Sequence, residues 1–128
     1  MKDFTKRTSI SDLNNIARVL NVTNFTVCRL NELARVLANK KIDNIVINLD
    51  SVGSGSHWVA INRTKKLYFD SYAQPAPNGV PNNYKLASQS KEVQSIAATD
   101  CGSLCLLWLH YVNYKSNAEY YKLFSDIY

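Results

Sequence analysis

The sequence predicts an α+β fold in a single domain that spans residues 1–128. Apolar residues at helical spacing occur near both ends of the chain, and β-branched or alternating segments lie between residues 44 and 70. The length of 128 residues suits one hydrophobic core, and a hydrophobic content of 46% is enough to fill it. No internal repeat or low-complexity tract divides the chain.

Two short helices are expected in the first forty residues. The first covers residues 11–20, with Ser11 as its N-cap and four apolar side chains on one stripe: Leu13, Ile16, Ala17 and Leu20. The second covers residues 30–39 and turns four side chains inward: Leu30, Leu33, Ala34 and Leu37.

A buried strand and a hairpin are expected next. Residues 44–49 are rich in β-branched side chains, which favours a strand. Residues 57–62 and 66–70 form a hairpin if Arg63 and Thr64 are its two loop residues. This register pairs His57 with Asp70 on one face. It pairs Trp58 with Phe69 and Ala60 with Leu67 on the core face.

The remaining elements follow in order. All three prolines fall within residues 73–83, which predicts an irregular loop, and residues 91–95 are expected to be extended. A buried helix is expected to begin at Cys101-Gly102 and to continue through the apolar residues up to Leu109. A final helix covers residues 118–124, with Asn117 as its cap.

Cys101 is the candidate nucleophile. A thiol at a helix N-terminus lies near unpaired N–H groups and the positive end of the dipole, which favour a thiolate. Gly102 allows a substrate backbone to approach closely, whereas the negative charge of Asp100 opposes thiolate formation. Cys105, one turn further on, has the surroundings of an inert core residue, and Cys28 has no reactive context.

The general base has to be a histidine, and the chain contains two. His110 follows Cys101 by nine residues on the same helix, about 13 Å along the axis, and is too far to reach the sulfur. His57 is therefore the candidate base, and Asp70 is the group that orients its ring. Gln94 is the candidate side-chain donor to the oxyanion.

The residues leave two alternatives for that amide donor, Gln74 and Gln89. They do not favour a metal site, because no CxxC pair is present and Cys105 and His110 face about 140° apart on a helix. We expect no cofactor and no metal. The order His, Asp, Cys argues against a papain-like enzyme, and the chain is too short for the two barrels of a chymotrypsin-like one.

At these positions the chain resembles the adenovirus endopeptidase (adenain-like) family of cysteine proteases, in the form found in virophages and Maverick/Polinton elements. The matching segments are GSGSHWVA at residues 53–60, YFDSY at 68–72, Gln94, and CGSLC at 101–105. The resemblance covers about residues 44–114. It implies a mixed β-sheet flanked by helices, with the catalytic cysteine at the N-terminus of a central helix. It also implies cleavage of capsid and core precursors after small residues such as Gly-Gly during virion maturation.

The resemblance bears on partners and location as well. The chain has no cysteine between Asp70 and Gln94, where the adenovirus enzyme bonds to its activating peptide, so disulfide-linked activation is not expected. A net charge of +5 leaves DNA open as an activator. The resemblance implies a location in the virion and in the infected cell (virus factory or nucleus). No signal-peptide or membrane-spanning pattern is present, so we do not expect secretion. We also expect a monomer.

Two other functions remain open from the sequence. A SUMO- or ubiquitin-deconjugating cysteine protease would share the same architecture. A non-catalytic module that binds DNA or capsid would use the fold without the chemistry.

Overall fold

The computed structural model of the chain describes residues 9–49, 57–87 and 101–125. Within these residues it is an α+β fold with a mixed five-stranded sheet and helices, as the sequence predicts. In chain order the elements are α1 (Ile10–Val19), β1 (Phe25–Arg29), a 3₁₀ turn (Leu30–Glu32), α2 (Leu33–Leu37), β2 (Asn44–Asn48), β3 (Trp58–Asn62), β4 (Leu67–Phe69), β5 (Lys85–Leu86), α3 (Cys101–Tyr114) and α4 (Asn117–Ser125).

The strands lie in the order β1-β2-β3-β4-β5. The two outer pairs, β1 with β2 and β4 with β5, are parallel, and the two central pairs are antiparallel. One face of the sheet packs against α1, α3 and α4, and the other against α2 and the loop that contains the prolines. The sheet therefore lies between two layers, and β2 and β3 are buried along most of their length.

Helix α3 is the buried helix that the sequence predicts from Cys101. It packs on β3, and its core side chains include Cys105, Leu106 and Trp108, each with no exposed surface. The Trp108 ring stacks on Phe69 of β4 with the ring centroids 5.2 Å apart. These contacts hold the first residue of α3 in a defined position relative to β3 and β4.

The N-caps of two helices differ from the sequence prediction. Ser9, not Ser11, caps α1: its hydroxyl accepts from the N–H of Asp12 at 3.0 Å, and Asp12 accepts in return from the Ser9 N–H. Ser116, not Asn117, caps α4 by accepting from the N–H of Glu119. In both cases the capping residue stands three positions before an acidic residue, and in α1 the reciprocal pairing satisfies two free N–H groups.

Two further features of the first half of the chain differ from the sequence prediction. Helix α2 is shorter than residues 30–39, and Ala34 is exposed instead of turned inward. Cys28, between the two helices, lies in strand β1, which is not predicted from the sequence. Strand β1 lies at the edge of the sheet and depends on its pairing with β2, a contact that no local pattern reveals.

The hairpin has a longer turn than predicted. Residues 63–66 form the turn, Lys66 takes a φ of 54°, and Ala60 pairs with Phe69 instead of Leu67. The register is thus displaced by two residues. Since side chains alternate with a period of two, the displacement leaves every side chain on its predicted face. Trp58, Ala60 and Phe69 belong to the same core cluster.

The segment expected to be extended, residues 91–95, lies outside the described residues. Among the helices that are described, none combines the length and the apolar character that crossing a membrane requires.

Candidate active site

The structure brings Cys101, His57 and Asp70 together. The Nε2 atom of His57 lies 2.8 Å from Oδ1 of Asp70, and the His57 ring also hydrogen-bonds to the side chain of Cys101. Because Nε2 is engaged by Asp70, Nδ1 is the nitrogen left for the sulfur. The three side chains therefore form a continuous chain from carboxylate to imidazole to thiol.

The fold explains why these residues meet. His57 immediately precedes β3 and Asp70 immediately follows β4. Because β3 and β4 are antiparallel, the start of one strand and the end of the other lie at the same end of the sheet. The N-terminus of α3, which carries Cys101, is packed against that end.

The backbone N–H of Trp58 donates to the sulfur of Cys101 at 3.3 Å. The Leu49 N–H bonds to the carbonyl of His57, so the backbone groups of Trp58 point away from β2, toward the side of β4. Strand β4 ends at Phe69, so this N–H lies beyond the last residue pair of β3 and β4 and donates to the sulfur. This donor stabilises negative charge on the sulfur.

Trp58 is expected in the core, and it is buried, with 5% of its surface exposed. The contact of its amide with the sulfur is not predicted from the sequence. Almost every residue has a backbone N–H group, so the residue type does not reveal its role. The one indication in the sequence is that Trp58 directly follows His57.

Asp70 is buried and is fixed in place by hydrogen bonds. It is 3% exposed, and its Oδ1 accepts from the N–H of Tyr72 at 2.8 Å as well as from His57. Its carbonyl accepts from the N–H of Ala73, which closes a turn directly after the strand. The Tyr72 ring lies against the imidazole with the centroids 5.3 Å apart. Tyr72 is therefore a residue of the site to which the sequence assigned no role.

The surroundings of His57 favour its charged form. Burial lowers the pKa of the imidazole, but the hydrogen bonds and negative charges of Asp70 and Cys101 outweigh burial and raise the pKa from 6.5 to about 9. The ring is then an imidazolium at neutral pH. A cation beside a sulfur stabilises the thiolate that a nucleophile requires.

The other two cysteines have no such surroundings. Burial, followed by the charge of Glu32, raises the pKa of the Cys28 thiol to about 11, so it remains protonated. Cys105 is fully buried in the core of α3. None of the three cysteines is in a disulfide. Cys101 is the one that the structure places against the His57 imidazole.

His110 does not approach the site. Its Nδ1 lies 2.7 Å from the carbonyl of Leu20, the residue that follows α1, so its role is to join α1 and α3. The predicted oxyanion donor Gln94 and its alternative Gln89 lie outside the described residues, as does Asp100. The second alternative, Gln74, lines the cleft beside His57, and its amide donates to the carbonyl of Tyr72 at 3.4 Å.

A cleft of about 380 Å³ opens beside the imidazole; we call it the His57 cleft. Its described lining residues are Leu49, His57, Asp70, Tyr72, Gln74, Pro75 and Pro77. The cleft lies between the hairpin and the loop that contains the prolines, and its surface is mainly apolar. A concave, mainly apolar cleft of this size is typical of a ligand-binding site.

Within residues 9–49, 57–87 and 101–125 no group of three or more histidine, cysteine, aspartate or glutamate side chains could hold a metal ion.

Comparison of the chain with models of protein families, with curated proteins and with solved structures found no match.

Proposed function

We propose that this protein is a cysteine endopeptidase of the adenain-like type, with Cys101 as nucleophile, His57 as general base and acid, and Asp70 as the residue that orients His57. The observation that carries the proposal is the contact chain from Asp70 through His57 to the sulfur. A nucleophile, a base and a third group that orients the base define this class of catalyst by geometry, whatever the fold.

The proposed reaction begins with the thiolate of Cys101 attacking the carbonyl carbon of the scissile bond, which forms a tetrahedral oxyanion. The imidazolium of His57 then gives its proton to the leaving amine, the C–N bond breaks and a thioester remains. Neutral His57 next takes a proton from water, and the resulting hydroxide attacks the thioester. Collapse of this second tetrahedral species returns the thiolate and releases the new carboxyl group.

Two groups are proposed to stabilise the oxyanion: the backbone N–H of Cys101, at the N-terminus of α3, and the side chain of Gln94. The N-terminal end of a helix favours negative charge. Removal of one donor of this kind typically raises the barrier by about 2.7–4 kcal/mol.

The proposed substrates are viral capsid and core precursors, cleaved after small residues during virion maturation. The support is the combination of motifs in the sequence together with the mixed sheet and the buried cysteine helix that the family implies. We propose the virion and the infected cell as the place of action.

The test is labelling with a thiol-directed activity probe, combined with digestion of the major capsid proteins of the source virus and mapping of the new termini. We expect stoichiometric labelling at Cys101 that is lost in Cys101→Ala and in His57→Ala but retained in Cys28→Ala, a matched control. Equal and slow labelling of all three thiols would contradict the proposal. Cleavage of SUMO or ubiquitin conjugates without cleavage of capsid proteins would favour the deconjugating alternative.

A DNA partner is also proposed, on the basis of a cluster of basic side chains. These residues lie at the end of the sheet where β2, β4 and β5 begin and β3 ends: Lys40, Lys41, Arg63, Lys65, Lys66 and Lys85. Asp43, the acidic residue among them, is engaged by Thr64 and Asn62. Filter binding of duplex DNA should weaken steeply with salt and in Lys65→Gln/Lys66→Gln, but not in Lys122→Gln on α4.

A further inference from the structure

Tyr72 contacts Asp70 and His57 at the same time. Its backbone N–H donates at 2.8 Å to Oδ1 of Asp70, the same oxygen that lies 2.8 Å from Nε2 of His57. Its ring packs on the imidazole with the ring centroids 5.3 Å apart, a separation typical of favourable contacts between aromatic rings. Tyr72 is therefore placed to keep the carboxylate and the imidazole in one arrangement.

The backbone on both sides of Tyr72 fixes its position. Ser71 is fully buried, and Ala73 adopts a φ of 58°, which is uncommon for a residue with a Cβ atom. The N–H of Ala73 donates at 2.8 Å to the carbonyl of Asp70, which closes a tight turn. The ring of Tyr72 is thus presented to the imidazole by the turn that follows β4. Within residues 9–49, 57–87 and 101–125 its hydroxyl makes no hydrogen bond.

The His57 cleft gives the imidazole room to leave its position. The cleft of about 380 Å³ lies beside the ring and is large enough to admit it. A histidine side chain moves between staggered positions by rotation about its Cα–Cβ bond. A ring that rotated into the cleft would lose Asp70 at Nε2 and Cys101 at Nδ1 together. Because Tyr72 lines the same cleft and packs on the imidazole, its ring opposes this rotation.

We propose that Tyr72 is a positioning residue, whose ring holds the imidazole of His57 between Asp70 and Cys101 and so maintains the thiolate of Cys101. This inference rests on the proposed peptidase function, in which that thiolate attacks the substrate. The ring acts by packing, so phenylalanine should replace it. The N–H that binds Asp70 is present with any side chain at this position, so a substitution here changes the packing on His57 and retains that hydrogen bond.

The test is the rate at which iodoacetamide alkylates Cys101 in the full-length protein, measured as a function of pH and located by peptide mass spectrometry. Alkylation follows the thiolate, so the pH profile reports the thiolate–imidazolium pair without a peptide substrate. At pH 6 we expect Tyr72→Ala to react about three- to tenfold more slowly than the wild-type protein, as the loss of one aromatic contact predicts. Tyr72→Phe should restore the wild-type rate. At pH 10 the thiol ionises unaided, and Tyr72→Ala should react at least as fast as the wild-type protein.

Tyr114→Ala is the matched control. Tyr114 is a half-exposed tyrosine whose ring lies 5.3 Å from that of His110, the same separation as in the site. It follows Cys101 by thirteen residues on α3, about 20 Å along the axis, so its loss should leave the profile unchanged. Cys28 and Cys105 are buried, and each variant is folded if they remain unlabelled.

Three results would overturn the role of the Tyr72 ring: an unchanged profile in Tyr72→Ala, an equal loss of rate in Tyr72→Phe, or a reduction of the same size at pH 6 and pH 10. A different result would contradict the proposed peptidase function. A wild-type profile with its inflection near 8.5, the pKa of an ordinary thiol, would show that the thiolate–imidazolium pair itself does not form.

Discussion

The two ends of strand β3 carry polar groups of different kinds. At its start lie His57, the amide of Trp58, the sulfur of Cys101 and the carboxylate of Asp70. At its end lies Asn62, which donates at 2.8 Å to the side-chain oxygen of Asn44 within a network of neutral amides. Both ends are attached to the same helix, α3, so the contrast lies in the chemistry and not in the scaffold.

The amide network satisfies its members. The oxygen of Asn44 accepts from Asn62 and from Asn113 of α3, and its nitrogen donates to the carbonyl of Thr23. These groups do not titrate near neutral pH, and hydrogen-bonded buried amides specify a single arrangement of strand and helix. The end that carries Cys101 instead holds titratable groups, one of which, His57, is 28% exposed. One end thus serves stability, and the other is the end to which we assign the proposed chemistry.

The largest expected effect comes from the isosteric change Asp70→Asn. It keeps the shape but removes the charge that favours the imidazolium and holds the ring, so kcat/KM should fall by about 10²–10⁴. The measurement is steady-state cleavage of a peptide that the wild-type protein cleaves. Asp43→Asn, the matched change at the opposite end of the sheet, should leave kcat/KM within about twofold. Equal losses of kcat/KM in both variants would contradict the assignment of catalysis to the end of the sheet that carries Asp70.

At the end of β3 that carries Asn62, we expect a substitution to lower stability and to leave probe labelling at Cys101 intact. Asn44→Ala removes the buried oxygen that accepts from Asn62 and Asn113 and the donor that binds the Thr23 carbonyl, which should lower the free energy of unfolding by about 2–4 kcal/mol. Urea unfolding measures this loss, and Asn15→Ala on the exposed face of α1 is the control, with no loss expected. Probe labelling at Cys101 should persist in the folded fraction. A stability unchanged by Asn44→Ala would contradict the role assigned to the network.

A change of pH is expected to have a smaller effect on the free energy of unfolding. The pKa of His57 is raised from 6.5 to about 9, so the folded protein holds a proton that the unfolded chain releases between these values. The stabilisation is complete below pH 6.5 and is lost as pH rises through 9, by at most about 3 kcal/mol. Urea unfolding at pH 6.5 and 9 should show the decrease in the wild-type protein and not in His57→Gln. An equal decrease in both proteins would show that a group other than His57 causes it.

Much of the fold follows from local pattern. Strand β2 is found because its β-branched residues mark it, and α3 because its apolar run is long and begins at a cysteine–glycine pair. Strand β1 is missed because its stability comes from parallel pairing with β2 and from contact with α1. The hairpin turn is misjudged because Lys66 adopts a positive φ, a conformation that its residue type does not signal.

The meeting of His57 and Asp70 is predicted better than the strand register from which it was inferred. The pairing of His57 with Asp70 was derived from a two-residue loop that does not exist, and the side chains still meet because a displacement of two residues preserves the faces. The amide of Trp58 and the packing of Tyr72 on the imidazole depend on where β4 ends and how the chain turns after it. No single residue type encodes those features.

The central claim is that His57 is held as a cation between the Asp70 carboxylate and the Cys101 sulfur. NMR titration of the His57 ring carbon and proton resonances measures it directly, with His110 in the same molecule as an internal reference. A His57 pKa near 9 in the wild-type protein, lowered in both Cys101→Ala and Asp70→Asn, is the predicted result. A His57 pKa near 6.5 that neither substitution changes would contradict the account.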